Sequence, residues 1–394
     1  MKIRRIISRD MFRCLGLLIA FLGVPLCGNT ADAPRAKWNY STELMRPFWR
    51  GDVVLGESAL FIRDAKSGVA RASLLFPIRE ILEVRSSSRR VVYQAGRDYV
   101  WQPGSREIVV PAGSRIVVRR PEDLRRPDNS QKYRLTHRDG NGEIFFGAKL
   151  EYHALQTIIS YRRDASLWPG PMPQFDESAL PQVIGRLRRK EPVKILVMGD
   201  SISTGCNASG WADGEPFQPA YPELVRQHLA AHYGGPVEME NLSISGKTSR
   251  SGLAMCDQGV LGEPDLVIIA FGMNDSAGVP VADFRKNTAA MIAKIRKARP
   301  MAEFILVATM LGNRDWPRLK QELFPRYRDA LNELCEPGVA LADMTSTWAE
   351  FLKRKKDWDL TGNGVNHPND FGHRVYAQMI SSLLIPTVPS GVSN

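Results

Sequence analysis

Cysteine is scarce in this chain, with five among 394 residues. None forms a Cys-x-x-Cys pair, which excludes zinc ribbons and thioredoxin-like redox sites. Setting aside Cys14 and Cys27 near the start leaves Cys206, Cys256 and Cys335, an odd number that requires at least one free thiol. Cys206 and Cys256 are either a disulfide or two small buried hydrophobes, and the second is the expectation. No apolar run is long enough for a multi-span membrane protein. No arginine cluster alternates with base-stacking aromatics, so the net charge of +11 is not read as nucleic-acid binding. No repeat of fixed period is present. At 43% hydrophobic and 24% charged residues, the composition is that of a globular protein and not of a disordered chain.

Residues 1–33 read as an export signal. Basic residues through Arg13 precede the apolar stretch Cys14 to Cys27, which is short for a stable anchor, and Ala31-Asp32-Ala33 offers small residues for a peptidase. Leu26 stands where a lipoprotein would carry a small residue before Cys27. The mature protein is therefore expected to be secreted or periplasmic, with no stable membrane span after processing.

The remainder has two rhythms. Residues 34–163 carry short apolar runs such as Ala59–Ile62, Ala72–Phe76, Ile81–Val84, Arg90–Tyr93, Glu107–Val110 and Leu155–Tyr161. Turn-formers such as Ser67-Gly68, Pro103-Gly104 and Asp139-Gly140-Asn141-Gly142 separate them, as in a β-sandwich or jelly roll. A proline-rich connector (164–176) follows. From 177 to 387 the apolar runs Val193–Met198, Val237–Ile244, Asp265–Phe271, Glu303–Thr309 and Val339–Met344 alternate with helical stretches. Those helices are expected near Tyr221–His232, Val281–Ala298, Arg318–Cys335 and Phe371–Leu384. That alternation predicts an α/β, doubly wound, five-stranded parallel sheet, with ligands beyond the carboxyl ends of its strands. Residues 388–394 form a tail.

The candidate motifs lie at those ends. Gly199-Asp200-Ser201 follows the first strand, where a tight turn lifts a serine hydroxyl clear of the backbone; alone, the triplet also reads as a helix cap. Ser203 occupies the second-glycine place of a Gly-x-Ser-x-Gly elbow, so this is not that motif. Gly246-Lys247-Thr248 imitates a phosphate loop, but the required first glycine falls on Asn241, which argues against nucleotide binding. Asn274, in Gly272-Met273-Asn274-Asp275, is either a cap or an oxyanion donor. Near the C-terminus, Asn366-His367-Pro368-Asn369-Asp370 opens a helix. His228 and His232, four apart, have no acidic partner that would mark a metal site.

Together and in this order, Ser201, Gly246, Asn274 and His367 resemble the blocks of the SGNH hydrolase superfamily, the GDSL-type esterases and lipases, over roughly 177 to 387. The resemblance implies a flavodoxin-like α/β domain, here preceded by a β-sandwich as in certain two-domain carbohydrate esterases. It also implies Ser201 as nucleophile and His367 as general base. The Ser201 and Gly246 backbone N–H groups and the Asn274 side chain would form the oxyanion hole. The chemistry is self-sufficient: an imidazole takes the serine proton and returns it to the leaving alkoxide, with no cofactor or metal called for.

The expected function is an exported carboxylic-ester hydrolase acting through an acyl-enzyme, with acylated carbohydrate, O-acetyl groups above all, or another small ester substrate as its partner. A lipase, thioesterase or O-acyltransferase on the same fold is the alternative. The sequence departs from the family at one point. Gly364 stands three residues before His367, where the family usually has Asp. A Ser–His dyad oriented by Asn363 or by a backbone carbonyl is the expectation, with Asp359 as competitor. Trp211 and Phe217, in the loop Gly205–Ala220, are candidates for a sugar wall. Trp49, Trp101 and the Phe145-Phe146 pair are expected to serve packing.

Overall fold

The computed structural model describes residues 38–164 and 168–386; the expected export signal and the C-terminal tail lie outside the described residues. The β-rich half is built from two main sheets. Val53–Ala59, Thr157–Arg162 and Glu80–Ser86 form an antiparallel three-stranded sheet in that order. The second sheet runs Val100–Trp101, Glu107–Val110, Ala70–Ser73, Phe61–Arg63, Val118–Arg119, and only its last pair is parallel. A two-stranded ribbon, Arg125–Arg126 with Glu143–Ile144, completes this half. The run Arg90–Tyr93 makes only an isolated bridge between Val92 and Arg85.

Strand Val53–Ala59 has no alternating apolar signature, because it contains Gly56 and Glu57. Both are explained from outside the strand. Glu57 is fully buried and accepts from Lys355 Nζ at 2.7 Å and Tyr161 Oη at 2.7 Å. A Cβ at Gly56 would stand 2.9 Å from the Arg374 guanidinium, which donates to the Gly56 carbonyl at 2.6 Å. Lys355 and Arg374 both lie in the α/β half, so the sheet edge is completed by residues some 300 positions away in sequence.

The five strands Val193–Gly199, Val237–Asn241, Leu266–Ala270, Glu303–Ala308 and Val339–Asp343 form one parallel sheet, its spatial order 2-1-3-4-5. Leu266–Ala270 and Glu303–Ala308 are buried at every position, as central strands covered on both faces must be. Helices Tyr221–Tyr233, Val281–Ala298 and Asp370–Ser381 fall where expected, while the stretch from Arg318 is helical only over Leu323–Asn332. Helix Ser249–Leu261 was not legible, since Gly252 and Gly259 weaken its helical pattern. Packing supplies the reason: a Cβ at Gly252 would sit 2.7 Å from Phe271, and one at Gly259 2.6 Å from Leu196, so the glycines let this helix lie close on the sheet.

One buried cluster runs through both halves. It includes Phe61, Ile108 and Ile159 of the β-rich sheets together with Trp348, Phe351 and Phe371. Trp168, in the proline-rich connector, is buried between them, its ring edge-on to Phe48 at 4.9 Å and to Phe351 at 5.4 Å. The described residues accordingly fall within a single compact unit. The strand order reverses at Val193–Gly199, whose two parallel neighbours are reached by connections running to opposite sides, so a crevice opens beyond Gly199.

Candidate active site

Ser201 begins a single helical turn, Ser201–Thr204, directly after the first parallel strand. Asp200 caps that turn, accepting from the Ile202 N–H at 3.0 Å. Burial pushes the Asp200 carboxyl up to about 7, with nearby Asp275 adding to it. A Cβ at Gly199 would meet the Ala270 carbonyl at 2.7 Å, so only glycine lets the strand end turn this tightly against its neighbour. Ser203 is turned inward onto the Tyr221 hydroxyl at 2.7 Å, leaving Ser201 as the serine of this turn that faces the crevice.

His367 Nε2 lies 2.9 Å from Ser201 Oγ, and its Nδ1 lies 2.7 Å from Asn207 Oδ1. The surroundings of Asn207 decide the tautomer. Its amide nitrogen donates to the carbonyls of Lys149 at 3.2 Å and Gly362 at 3.1 Å, which uses both amide hydrogens and turns the oxygen toward the ring. A flipped amide would set its oxygen against two carbonyls. The ring therefore donates from Nδ1, and Nε2 carries the lone pair that receives the serine O–H. Asn207 adopts a left-handed conformation (φ 67°), which asparagine tolerates better than most residues.

This corrects the expected orienter. Asn363 does not touch the imidazole; its side-chain oxygen accepts from the backbone N–H groups of Val365 (2.9 Å), Asn366 (3.0 Å) and His367 (3.2 Å). It shapes the loop that carries the histidine. Asp359 is buried elsewhere, accepting from the N–H groups of Leu60 at 2.8 Å and Lys356 at 3.0 Å, and so ties the two halves together. Gly364 has φ 79°, and a Cβ there would meet the Phe145 carbonyl and the Tyr152 ring, each at 2.7 Å. An aspartate has no room at that position. The one sequence signal for Asn207 was its place six residues beyond Ser201 in a loop of small residues.

Gly246 and Asn274 border the same crevice as Ser201 and His367. Gly246 takes a left-handed conformation (φ 79°) with open space where a Cβ would be. Asn274 is held by one amide hydrogen, donated to the Lys247 carbonyl at 2.9 Å. Asp275 accepts from the Ser249 N–H at 3.0 Å and its hydroxyl at 2.6 Å, fixing the helix that follows the Gly246 turn. Asn241 donates to the Ser203 carbonyl at 2.8 Å, linking that turn to the helical turn that Ser201 begins.

The crevice has a volume of about 640 Å³. One wall is the α/β half, including Cys206, Trp211 and Trp316; the other is the β-rich half, with Tyr133, Leu135, Phe146 and Lys149. Gly147 N–H donates to the Asn363 carbonyl at 3.1 Å, and Leu135, Ile144 and Val365 form a small shared core, so this wall is docked on the histidine loop. Trp211 and Tyr133 are about half exposed, at 49% and 48%. Trp49 and Phe145 are buried and Trp101 packs against the core, as expected. Phe146 instead lines the crevice, edge-on to Tyr133 at 5.0 Å, while Phe217 is not among the lining residues. Cys206 and Cys256 are both free. His228 bonds Tyr40 Oη through Nδ1 at 2.6 Å, and no group of ligating side chains among the described residues could hold a metal ion.

Burial and, next, the neighbouring His373 push the His367 imidazole down to about 3. The ring is thus a neutral base whose protonated form has no carboxylate beside it.

A serine on a sharp turn, a neutral imidazole aimed at its hydroxyl, and a crevice at the switch point of a 2-1-3-4-5 sheet define a serine hydrolase type of site. Residues 197–375 match the model of the GDSL-like lipase/acylhydrolase family. No curated protein matches the chain. Among solved structures it is similar to a two-domain esterase, CEX, active on acetylated mannans (23% identity, 54% of this chain and 53% of that one, TM-score 0.43). It is also similar to the lipase Lip_vut3 from a goat rumen metagenome (16%, 48% and 96%, 0.39) and to a lipase/acylhydrolase from Enterococcus faecalis (24%, 48% and 93%, 0.38). The chain spans about half the length of the two-domain esterase.

Proposed function

We propose that this protein is an exported serine esterase that removes O-acetyl groups from carbohydrate through an acyl-enzyme on Ser201. The observation that carries the reading is the contact of Ser201 Oγ with a neutral His367 whose tautomer Asn207 sets. The serine proton passes to His367 Nε2 as Oγ bonds the ester carbon. The tetrahedral oxyanion is met by the Ser201 and Gly246 N–H groups and by the second amide hydrogen of Asn274, a type of contact worth about 3–4 kcal/mol when removed singly. Collapse breaks the bond to the alkoxide, which takes the proton from Nε2. Water then repeats the sequence and releases the acid. Asn207 is the positioning residue of this relay, in the place where a carboxylate is usual.

The crevice supports a sugar leaving group over a long acyl chain. It presents aromatic faces at Trp211 and Tyr133 but is interrupted by Lys132, Arg134, Lys149 and Arg318, which a long hydrocarbon chain would leave unsolvated or uncovered. Export rests on the basic and then apolar order of residues 1–33.

The test is acetate release from acetylated polysaccharides beside p-nitrophenyl esters of increasing chain length. Acetate should be preferred among the acyl groups; preference for long chains would favour a lipase, and transfer to added glycan without net hydrolysis an acyltransferase. Ser201→Ala and His367→Ala should each reduce kcat by about 10³-fold or more, and the double variant should lose little beyond either, because the two act as one relay. Near-full activity in either single variant would overturn the site.

A further inference from the structure

We infer that the glycan taken by this crevice is acidic, carrying anionic groups along the chain that bears the ester. The inference rests on the reading of the site as an esterase but draws on a separate set of residues. Lys132, Arg134, Lys149 and Arg318 line the crevice, and none of its lining residues is Asp or Glu. Four other clefts of this protein carry both signs. One pairs Lys194 with Glu238 and Glu240, another Lys66 and Arg71 with Asp64. The remaining two set Lys320 against Glu322 and Arg46 against Glu43. The single-sign lining therefore does not follow from the overall charge alone.

The cations come from both walls. Lys132 and Arg134 sit on the β-rich wall around Tyr133, Lys149 beside the Asn207 contact, and Arg318 across the crevice near Trp316. All four are exposed. The acids nearest Lys149 and Arg318 in the chain are engaged by other groups: the Glu151 carboxylate accepts from the Ala148 N–H at 3.2 Å, and Asp315 faces His137 at 3.4 Å. Like charges gathered on one concave surface repel one another, and an anionic ligand relieves that repulsion while being drawn into the crevice. Aromatic faces at Tyr133, Trp211 and Trp316 between the cations suit sugar rings bearing carboxylate or sulfate groups. The shared chemistry is a polyanionic carbohydrate, and the experiment separates the two sources of charge.

Full-length processed protein is assayed for kcat/KM on O-acetylated polygalacturonate and on O-acetylated mannan of equal acetyl content. The acidic polymer should be favoured by about 10-fold at low salt, and the preference should collapse toward unity in about 0.5 M sodium chloride. In Arg134→Gln/Arg318→Gln, the acidic-to-neutral ratio should fall by about fivefold or more, chiefly through KM. Lys132→Gln/Lys149→Gln provides a second pair should the first fail to fold. Binding is read independently by titrating Ser201→Ala protein with deacetylated oligogalacturonate, with a sulfated neutral glucan and with anionic phospholipid vesicles. Salt-sensitive binding of the first marks carboxylate recognition, and of the second alone, sulfate; either supports the inference even if no ester is turned over, an outcome that would sink only the esterase reading. Absence of salt-sensitive binding to both anionic glycans, whether with equal or better kcat/KM on mannan, a salt-independent preference, or binding of vesicles alone, would overturn it.

Discussion

Gly362 makes room for Asn207: a Cβ on Gly362 would stand 2.7 Å from the Asn207 Cβ and 2.9 Å from its carbonyl oxygen. The same glycine offers its own carbonyl to the Asn207 amide at 3.1 Å. The contacts of Asn207 with His367 are thus held by packing of the loop after the serine against the loop before the histidine.

Gly362→Ala should push the two loops apart. Overpacking of this kind typically costs about 1–3 kcal/mol, so a lowered melting temperature is expected. Asn207 cannot retreat without lengthening its 2.7 Å contact to Nδ1, so kcat for a small acetate ester should fall by about 10-fold or more. Wild-type kcat in a destabilised Gly362→Ala protein would show that Asn207 does not position the ring.

Asn207→Asp should not act as an improved triad. The carboxylate would gain the charge of the usual acid, yet one of its oxygens would face the Lys149 and Gly362 carbonyls that now accept hydrogen bonds. Leaving those acceptors unmatched costs about 1–3 kcal/mol. A lower melting temperature at neutral pH, with kcat below wild type, is the expected result. A variant that is both as stable and faster would mean the amide orientation is not set by these carbonyls.

The acidic limb of kcat/KM should lie below the ordinary imidazole value of about 6.5. The sign follows from the cause: burial and His373 disfavour the charged ring, so the neutral, proton-accepting form persists as pH falls toward about 3. No carboxylate opposes this, since the Nδ1 partner is an amide. A limb at or above 6.5, measured on the intact protein over a range where it stays folded, would contradict that environment.

Asp359→Asn and Asn363→Ala should separate stability from chemistry. Asp359 accepts two backbone N–H groups, from Leu60 and Lys356, far from the imidazole. Its replacement should lower the melting temperature while kcat stays within about threefold of wild type. Asn363→Ala frees three N–H groups of the histidine loop and should lower both stability and kcat, with kcat falling by about 10-fold to 100-fold. Loss of activity in Asp359→Asn as deep as in His367→Ala would return the carboxylate to the relay.

Four of the five parallel strands and three of the helices were legible because each carries its own signal, a buried apolar run or an amphipathic stretch of more than ten residues; the edge strand Val237–Asn241, with only Val237 buried, was legible from its place in the alternation. Ser201, Gly246, Asn274 and His367 were legible for a related reason, since each follows a strand end or opens a helix, and local sequence marks such places. Strand Val53–Ala59 and helix Ser249–Leu261 were not, because Glu57 is stabilised by Lys355 and Gly252 by the closeness of Phe271. The orienting residue was misplaced for the same physical cause. Proximity in sequence pointed to Asn363, four residues from His367, whereas the ring's partner lies 160 residues away and is aimed by the carbonyls of Lys149, in the β-rich half, and of Gly362, in the loop before the histidine. Local order along the chain marked Ser201, Gly246, Asn274 and His367, which line one crevice. Only the folding of one loop against another, through hydrogen bonds that no stretch of sequence contains, decided which group bonds the His367 ring and which cations line the crevice around it.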